Sequence, residues 1–167
     1  IRAFTSEVIE ILREDNNLRE IGIRGDCVFA IYTTPTPNDI MECADKTFYI
    51  NTFIEMLNQM LIQRNMQKIR VGIGMASDKE LVIKTGRKNV SINDKVWIGK
   101  AVTIASKLSG LGDKNNNFRL AYSNTSFINF IKILEKKNSS KNTRGWFSEK
   151  TLSELNIKYY QAGIIKT

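Results

Sequence analysis

Apolar residues Ile1, Phe4, Val8, Ile11 and Leu12 recur at helical spacing, so a helix opens the chain and stops at Asp15-Asn16-Asn17. Arg19 to Arg24 and Cys27 to Tyr32 read as two strands hinged at Gly25-Asp26, a two-residue hairpin connection. Pro35 and Pro37 close the second strand, and Asn38 is placed to cap a long helix running to about Asn65. Its stripe is Ile40, Cys43, Ala44, Thr47, Phe48, Ile50, Phe53, Ile54, Leu57 and Leu61. Lys68 to Ala76 alternates, and Glu80 to Lys84 answers it across Ser77-Asp78-Lys79, which predicts a second hairpin. Gly86 to Asp94 reads as a polar, basic loop, and Gly99 to Leu108 as a short helix. Then follow a strand at Phe118 to Tyr122, a helix from Ser123 or Asn124 to about Leu134, a basic loop from Glu135 to Arg144, and a strand near Ile157 to Tyr160.

Hairpins separated by helices predict an α+β fold, a ferredoxin-like palm with a mainly antiparallel sheet covered by helices on one face. No repeat or linker divides the 167 residues, so residues 1–167 read as a single domain. The chain opens at Ile1 inside a helical pattern, and this predicts that an N-terminal piece is missing.

Composition narrows the chemistry. With 42% hydrophobic and 25% charged residues the chain is of ordinary globular type, and its apolar runs are far below the roughly 18 residues that cross a bilayer. Two cysteines, Cys27 and Cys43, are too few for a disulfide scaffold, which suits a reducing cytoplasm. The absence of histidine removes the commonest general base and the usual zinc sites, leaving carboxylates, cations or bound metal. A net charge of +8 suits a polyanionic partner, although an excess of lysine also serves solubility.

Asp26, at the tip of the first hairpin, is a rigidly held acid, though glycine and aspartate are also ordinary turn residues. The order of elements around it, the Val71-Gly72-Ile73-Gly74-Met75 strand, and the segment Val96-Trp97-Ile98-Gly99-Lys100-Ala101-Val102-Thr103-Ile104-Ala105-Ser106-Lys107-Leu108 resemble the class III nucleotidyl cyclases. The resemblance covers nearly the whole chain. In the last segment the family reads Trp, Gly, two variable residues, Val, Asn, a variable residue, Ala, Ser and Arg, which this chain matches with one insertion and two polar changes.

The resemblance implies attack of a ribose 3′-hydroxyl on its own α-phosphate, giving a 3′,5′-cyclic nucleotide and pyrophosphate. Two divalent ions, Mg2+ or Mn2+, assist through hard oxygen ligands. Asp26 matches one of the two metal aspartates, and the other has no counterpart. Asp78, Asp94 and Asp113 read as loop residues on other elements and do not replace it. Thr103 stands at the family's nucleoside-orienting asparagine and Lys107 at its phosphate-stabilising arginine, a change that keeps the cation and loses the planar fork. The two lie one helical turn apart.

The adenine-reading positions of the family fall at Gly22 and at Val96 or Lys95, so that readout is lost. The loss resembles the pyrimidine cyclases of bacterial anti-phage defence, which make cyclic UMP or cyclic CMP. Lys84, Arg87, Lys88, Lys95 and Lys100 crowd the approach to the helix near Gly99, where amides and cations attract polyphosphate, while Lys141, Arg144 and Lys158 are weaker candidates. Phe48, Phe53, Trp97, Phe127 and Phe130 read as core or interface packing. The resemblance further implies a head-to-tail homodimer whose sites combine Asp26 of one subunit with Thr103 and Lys107 of the other. Two rival readings stay open, a catalytically silent nucleotide-binding regulatory domain and a nucleic-acid-binding module. The second lacks the aromatic and basic pattern of an RNA-reading sheet.

Overall fold

A computed structural model describes residues 2–86 and 93–167, with 80–86 and 93–98 described by backbone alone. Helix α1 spans Arg2–Arg13 and leads into the hairpin of β1, Leu18–Arg24, and β2, Cys27–Tyr32. The pairing is antiparallel, with Gly22 opposite Phe29 and Arg24 opposite Cys27, and Gly25 turns the tip at a φ of 61°. The long helix α2 covers Pro37–Gln63. Its cap is Thr36 rather than Asn38. The Thr36 hydroxyl accepts from the Asp39 amide at 3.3 Å, and the Asp39 carboxylate accepts from the Thr36 amide at 2.8 Å. Pro37, lacking an amide proton, suits the first helical turn, which moves the start ahead of the expected position.

The second hairpin is paired differently from the sequence expectation. Strand β3, Ile73–Met75, runs parallel to β6, Leu120–Ser123, whereas β4, Glu80–Gly86, pairs antiparallel with β5, Asn93–Gly99. Of the expected loop from Gly86 to Asp94, Gly86, Asn93 and Asp94 instead lie in paired strands, and 87–92 fall outside the described residues. Helix α3 follows at Lys100–Ser109, and α4 at Asn124–Lys137 is capped by the Ser123 hydroxyl. A 3-10 turn at Thr143–Trp146 precedes β7, Ser148–Leu152, a strand the sequence pattern did not signal, and β8, Ile157–Ala162. The four-stranded sheet is ordered β3-β6-β8-β7, with β8 antiparallel to both neighbours. The fold is α+β, as expected.

Alternation along β6 sends Leu120 and Tyr122 into a core with Phe48 of α2 and Phe127, Phe130 and Ile131 of α4. Ala121 faces the other way and meets Leu108 of α3, together with Tyr159 and Leu152. Helices thus cover both faces of this sheet rather than one. Tyr122 is fully buried, edge-on to Phe48, Phe130 and Phe147, and its hydroxyl shares a 2.6 Å hydrogen bond with Thr47. Burying a ring of this size contributes roughly 1.5–3 kcal/mol. A third cluster, Val8 with Ile50 and Ile54, joins α1 to α2 and takes in Val28 from the first hairpin.

Helix α3 reaches β3 at backbone distance. A Cβ on Gly74 would lie 2.1 Å from the Ala105 carbonyl oxygen, and one on Gly72 would lie 1.9 Å from that of Ser109. Only glycine permits this approach. The glycine alternation in the β3 segment thus fixes where α3, with Thr103 and Lys107, is held.

Candidate nucleotide site

Helix α3 begins at Lys100, and its cap residue, Gly99, has no side chain to cap it. Exposed Lys100 stands in that first turn. Thr103 is exposed one turn on, and Lys107 follows after four more residues on the same face. The helix therefore presents its N-terminal end, a hydroxyl and two cations, a set suited to a phosphorylated ligand.

Lys107 is not idle. Its ammonium lies 2.6 Å from a carboxylate oxygen of Glu154, in the turn between β7 and β8. Hydrogen bonding to Lys107, then its charge, holds the Glu154 carboxyl below its ordinary range. A phosphate oxygen approaching Lys107 competes with that carboxylate for its charge, although the ammonium has further N–H donors to offer. Glu154 was missed in sequence because its partner lies 47 residues away and no local spacing links them.

Asp26 sits exposed at the tip of the first hairpin, and no hydrogen bond or ion pair links it to Thr103 or Lys107 among the described residues. The hairpin packs against α1, while α3 packs against β3 and β6. Within one chain, then, the two halves of the expected site stand on different elements, joined through the cluster that holds Val28 of the hairpin with Val71 and Ile73. Gly22 lies on β1 beneath the ring of Phe29. Val96 and Lys95 lie on β5 opposite Ile83 and Lys84 by backbone register, and their side chains, like Arg87 and Lys88 altogether, fall outside the described residues.

Among the other cations, Arg144 pairs with Glu135 at 3.0 Å and Lys158 with Glu149 at 2.9 Å, while Lys141 is exposed. Asp113 accepts from the Val71 amide at 3.2 Å and from Arg119 at 3.4 Å, and the Asp78 carboxylate accepts from the Lys79 amide, so both serve their own loops. Among the described residues no three His, Cys, Asp or Glu side chains gather as a metal centre would require. The pair of divalent ions implied by the resemblance therefore does not fit these residues alone, which offer Asp26 as one hard oxygen donor.

Cys27 is exposed and Cys43 buried, and both are free thiols. Burial, the dominant cause, pushes the Cys43 thiol up to about 12. Among the described residues no helix is long and apolar enough to cross a membrane.

No family model matches the chain. It is 46% identical over 165 residues to a uridylate cyclase from Treponema porcinum, a match covering 99% of this chain and 54% of that protein. A uridylate cyclase from Gulbenkiania mobilis is 31% identical over 118 residues, covering 68% of this chain and 46% of that protein. The chain thus spans about half the length of these relatives. In fold it is similar to a guanylyl cyclase, at a TM-score of 0.67 and 10% identity over 98% of this chain and 78% of the other. It is also similar to a bacterial light-regulated adenylyl cyclase, at a TM-score of 0.69 and 16% identity over 99% of this chain and 44% of the other. Along almost its whole length the chain is thus similar to about half of a uridylate cyclase, and its fold is that of guanylyl and adenylyl cyclase domains.

Proposed function

We propose that the protein is a nucleotidyl cyclase that converts a pyrimidine nucleoside triphosphate, UTP before CTP, to its 3′,5′-cyclic monophosphate and pyrophosphate. The observation that carries this reading is the 46% identity, sustained along 99% of the chain, to a protein named as a uridylate cyclase. In the reaction a bond forms between the ribose 3′-oxygen and the α-phosphorus, and the bond from that phosphorus to the bridging oxygen breaks.

Each residue of α3 then has a distinct task. The N-terminal end of the helix dipole and Lys100 attract the triphosphate. Thr103 donates or accepts one hydrogen bond and orients the nucleoside. Lys107, released from Glu154, neutralises charge that develops on the α-phosphate, a contribution that grows toward the transition state. Asp26 is the hairpin's donor toward divalent cations, with Mg2+ or Mn2+ as the suited metals, and the described residues alone do not complete their ligand set.

That Asp26 and α3 stand on different elements, with Lys107 paired to Glu154 rather than to Asp26, supports a homodimer whose sites combine Asp26 of one subunit with Thr103 and Lys107 of its partner. Residues 1–167 form the catalytic domain in this reading. Two free cysteines suit a cytoplasmic setting, and a role in anti-phage signalling follows from the resemblance to pyrimidine cyclases. Nothing in the comparisons favours a catalytically silent regulatory domain.

The test is incubation of the full-length protein with each of the four ribonucleoside triphosphates and manganese, with cyclic products separated by mass. Wild type yields cyclic UMP as the main product, and Asp26→Ala, at an exposed turn position, yields none while keeping its melting temperature. Full activity in Asp26→Ala contradicts the assignment.

A further inference from the structure

Helix α3 carries Thr103 and Lys107, and it is held from its C-terminal end. After Ser109 the chain turns through Leu111 and Gly112, whose amides donate to the carbonyls of Leu108 and Ser109 at 3.1 and 3.3 Å. A short loop then closes where the Asp113 amide donates to the Phe118 carbonyl at 3.3 Å. Within it Asp113, Asn115 and Asn116 are left-handed, at φ of 56°, 50° and 62°. Asp and Asn tolerate that backbone better than most residues, but it persists where the surroundings hold it.

The surroundings here centre on Arg119. Oδ2 of Asp113 accepts from the Val71 amide at 3.2 Å and from Nε of Arg119 at 3.4 Å, which ties the end of α3 to the segment entering β3. The Arg119 carbonyl accepts from the Ile73 amide at 2.8 Å. Its Nη1 reaches the other way, donating to the side-chain oxygen of Asn51 and to Glu55 on α2, each at 3.1 Å. Asn51 is buried, and its own amide nitrogen donates to the Ile164 carbonyl at 2.8 Å. The Arg119 side chain is 15% exposed, so its contacts are less screened than the surface pair of Lys107 and Glu154. A planar guanidinium serves acceptors on two sides at once, which an ammonium on a flexible stem does less well.

At its other end α3 has no side-chain cap, since Gly99 has none to offer. Placement of the helix therefore rests on its approach to β3 and on this pin. Lys107 lies two residues before Ser109 and Thr103 one turn further back, so a shift at the pinned end travels along the helix to both.

We propose that Arg119, acting through Asp113, is a positioning residue for the cyclase reaction and sets where α3 presents Thr103 and Lys107 to the nucleotide. The assignment rests on the cyclase reading above. Misplacing a reacting group by about 1 Å costs on the order of a hundredfold in rate, so loosening the pin acts on turnover more than on substrate capture.

The experiment measures kcat and KM for UTP with manganese in the full-length protein, per folded molecule and well below each melting temperature, together with hydrogen exchange of the α3 amides. The variants are Arg119→Met, Arg119→Lys and Asp113→Asn. Arg119→Met lowers kcat by about tenfold or more with KM within about twofold, and exchange quickens over residues 104–109 but not in α4. Arg119→Lys keeps the charge and part of the contacts, and it recovers part of the lost kcat. Should Arg119→Met fail to fold, Asp113→Asn decides, since it keeps an acceptor for the Val71 amide and weakens only the bond to Arg119. Unchanged kcat per folded molecule, a loss confined to KM, or unaltered exchange in α3 overturns the assignment while leaving the cyclase reading standing. Wild type that makes no cyclic product from any of the four ribonucleoside triphosphates overturns both.

Discussion

Lys107 and Glu154 show how a single charge can be held ready and yet withheld. Their 2.6 Å contact is half exposed, so it is a weak, salt-sensitive restraint rather than a source of stability. Glu154→Gln should lower the apparent KM for the triphosphate by about two- to fivefold at low salt, read from initial rates, with little change in kcat. The pH dependence has a definite sign. Lys107 depresses the Glu154 carboxyl, so the restraint is complete above the ordinary carboxylate range and is lost as pH falls through the depressed value. Wild type and variant therefore differ most near neutrality and converge in acid. A higher KM in Glu154→Gln would mean that Glu154 positions Lys107 for substrate instead of competing with it.

At the level of elements, the position of α3 depends on two glycines in and beside β3. Gly74→Ala places a methyl group against the Ala105 carbonyl, a backbone atom that cannot rotate away, and should cost about 1–3 kcal/mol in chemical unfolding. Turnover should fall further than stability alone explains, because α3 must shift with Thr103 and Lys107 on it. Unchanged stability and activity would show that α3 does not rest on β3 as described. The Gly72-Ile73-Gly74 alternation was visible in the sequence as a strand, but its partner was not. Short strands carry no label for what they pair with, so β3 was assigned to β4 instead of to β6, 45 residues further on. The first hairpin was legible because its turn is local, with Gly25 and Asp26 fixing the register. Strand β7, Ser-Glu-Lys-Thr-Leu, escaped notice because four of its five residues are polar, and pairing with β8 rather than its own pattern makes it a strand. Similarly, Asp26, Thr103 and Lys107 can be named from their motifs, whereas Glu154 is found only in the fold, since its partner Lys107 lies 47 residues away.

For the molecule as a whole, the acidic hairpin tip and the cationic helix stand on different elements, the hairpin against α1 and the helix against β3 and β6. In the proposed reading one chain presents two half-sites, and a second copy arranged head to tail would complete both. The most direct measurement mixes full-length Asp26→Ala subunits with Lys107→Ala subunits, after denaturation and co-refolding, and follows cyclic nucleotide formation from UTP. Each variant alone should be inactive. The mixture should recover about a quarter of wild-type turnover, because half of the randomly assorted dimers are mixed and each of those has one intact site of two. No recovery in mixed dimers verified by differential tags would contradict a site shared between subunits.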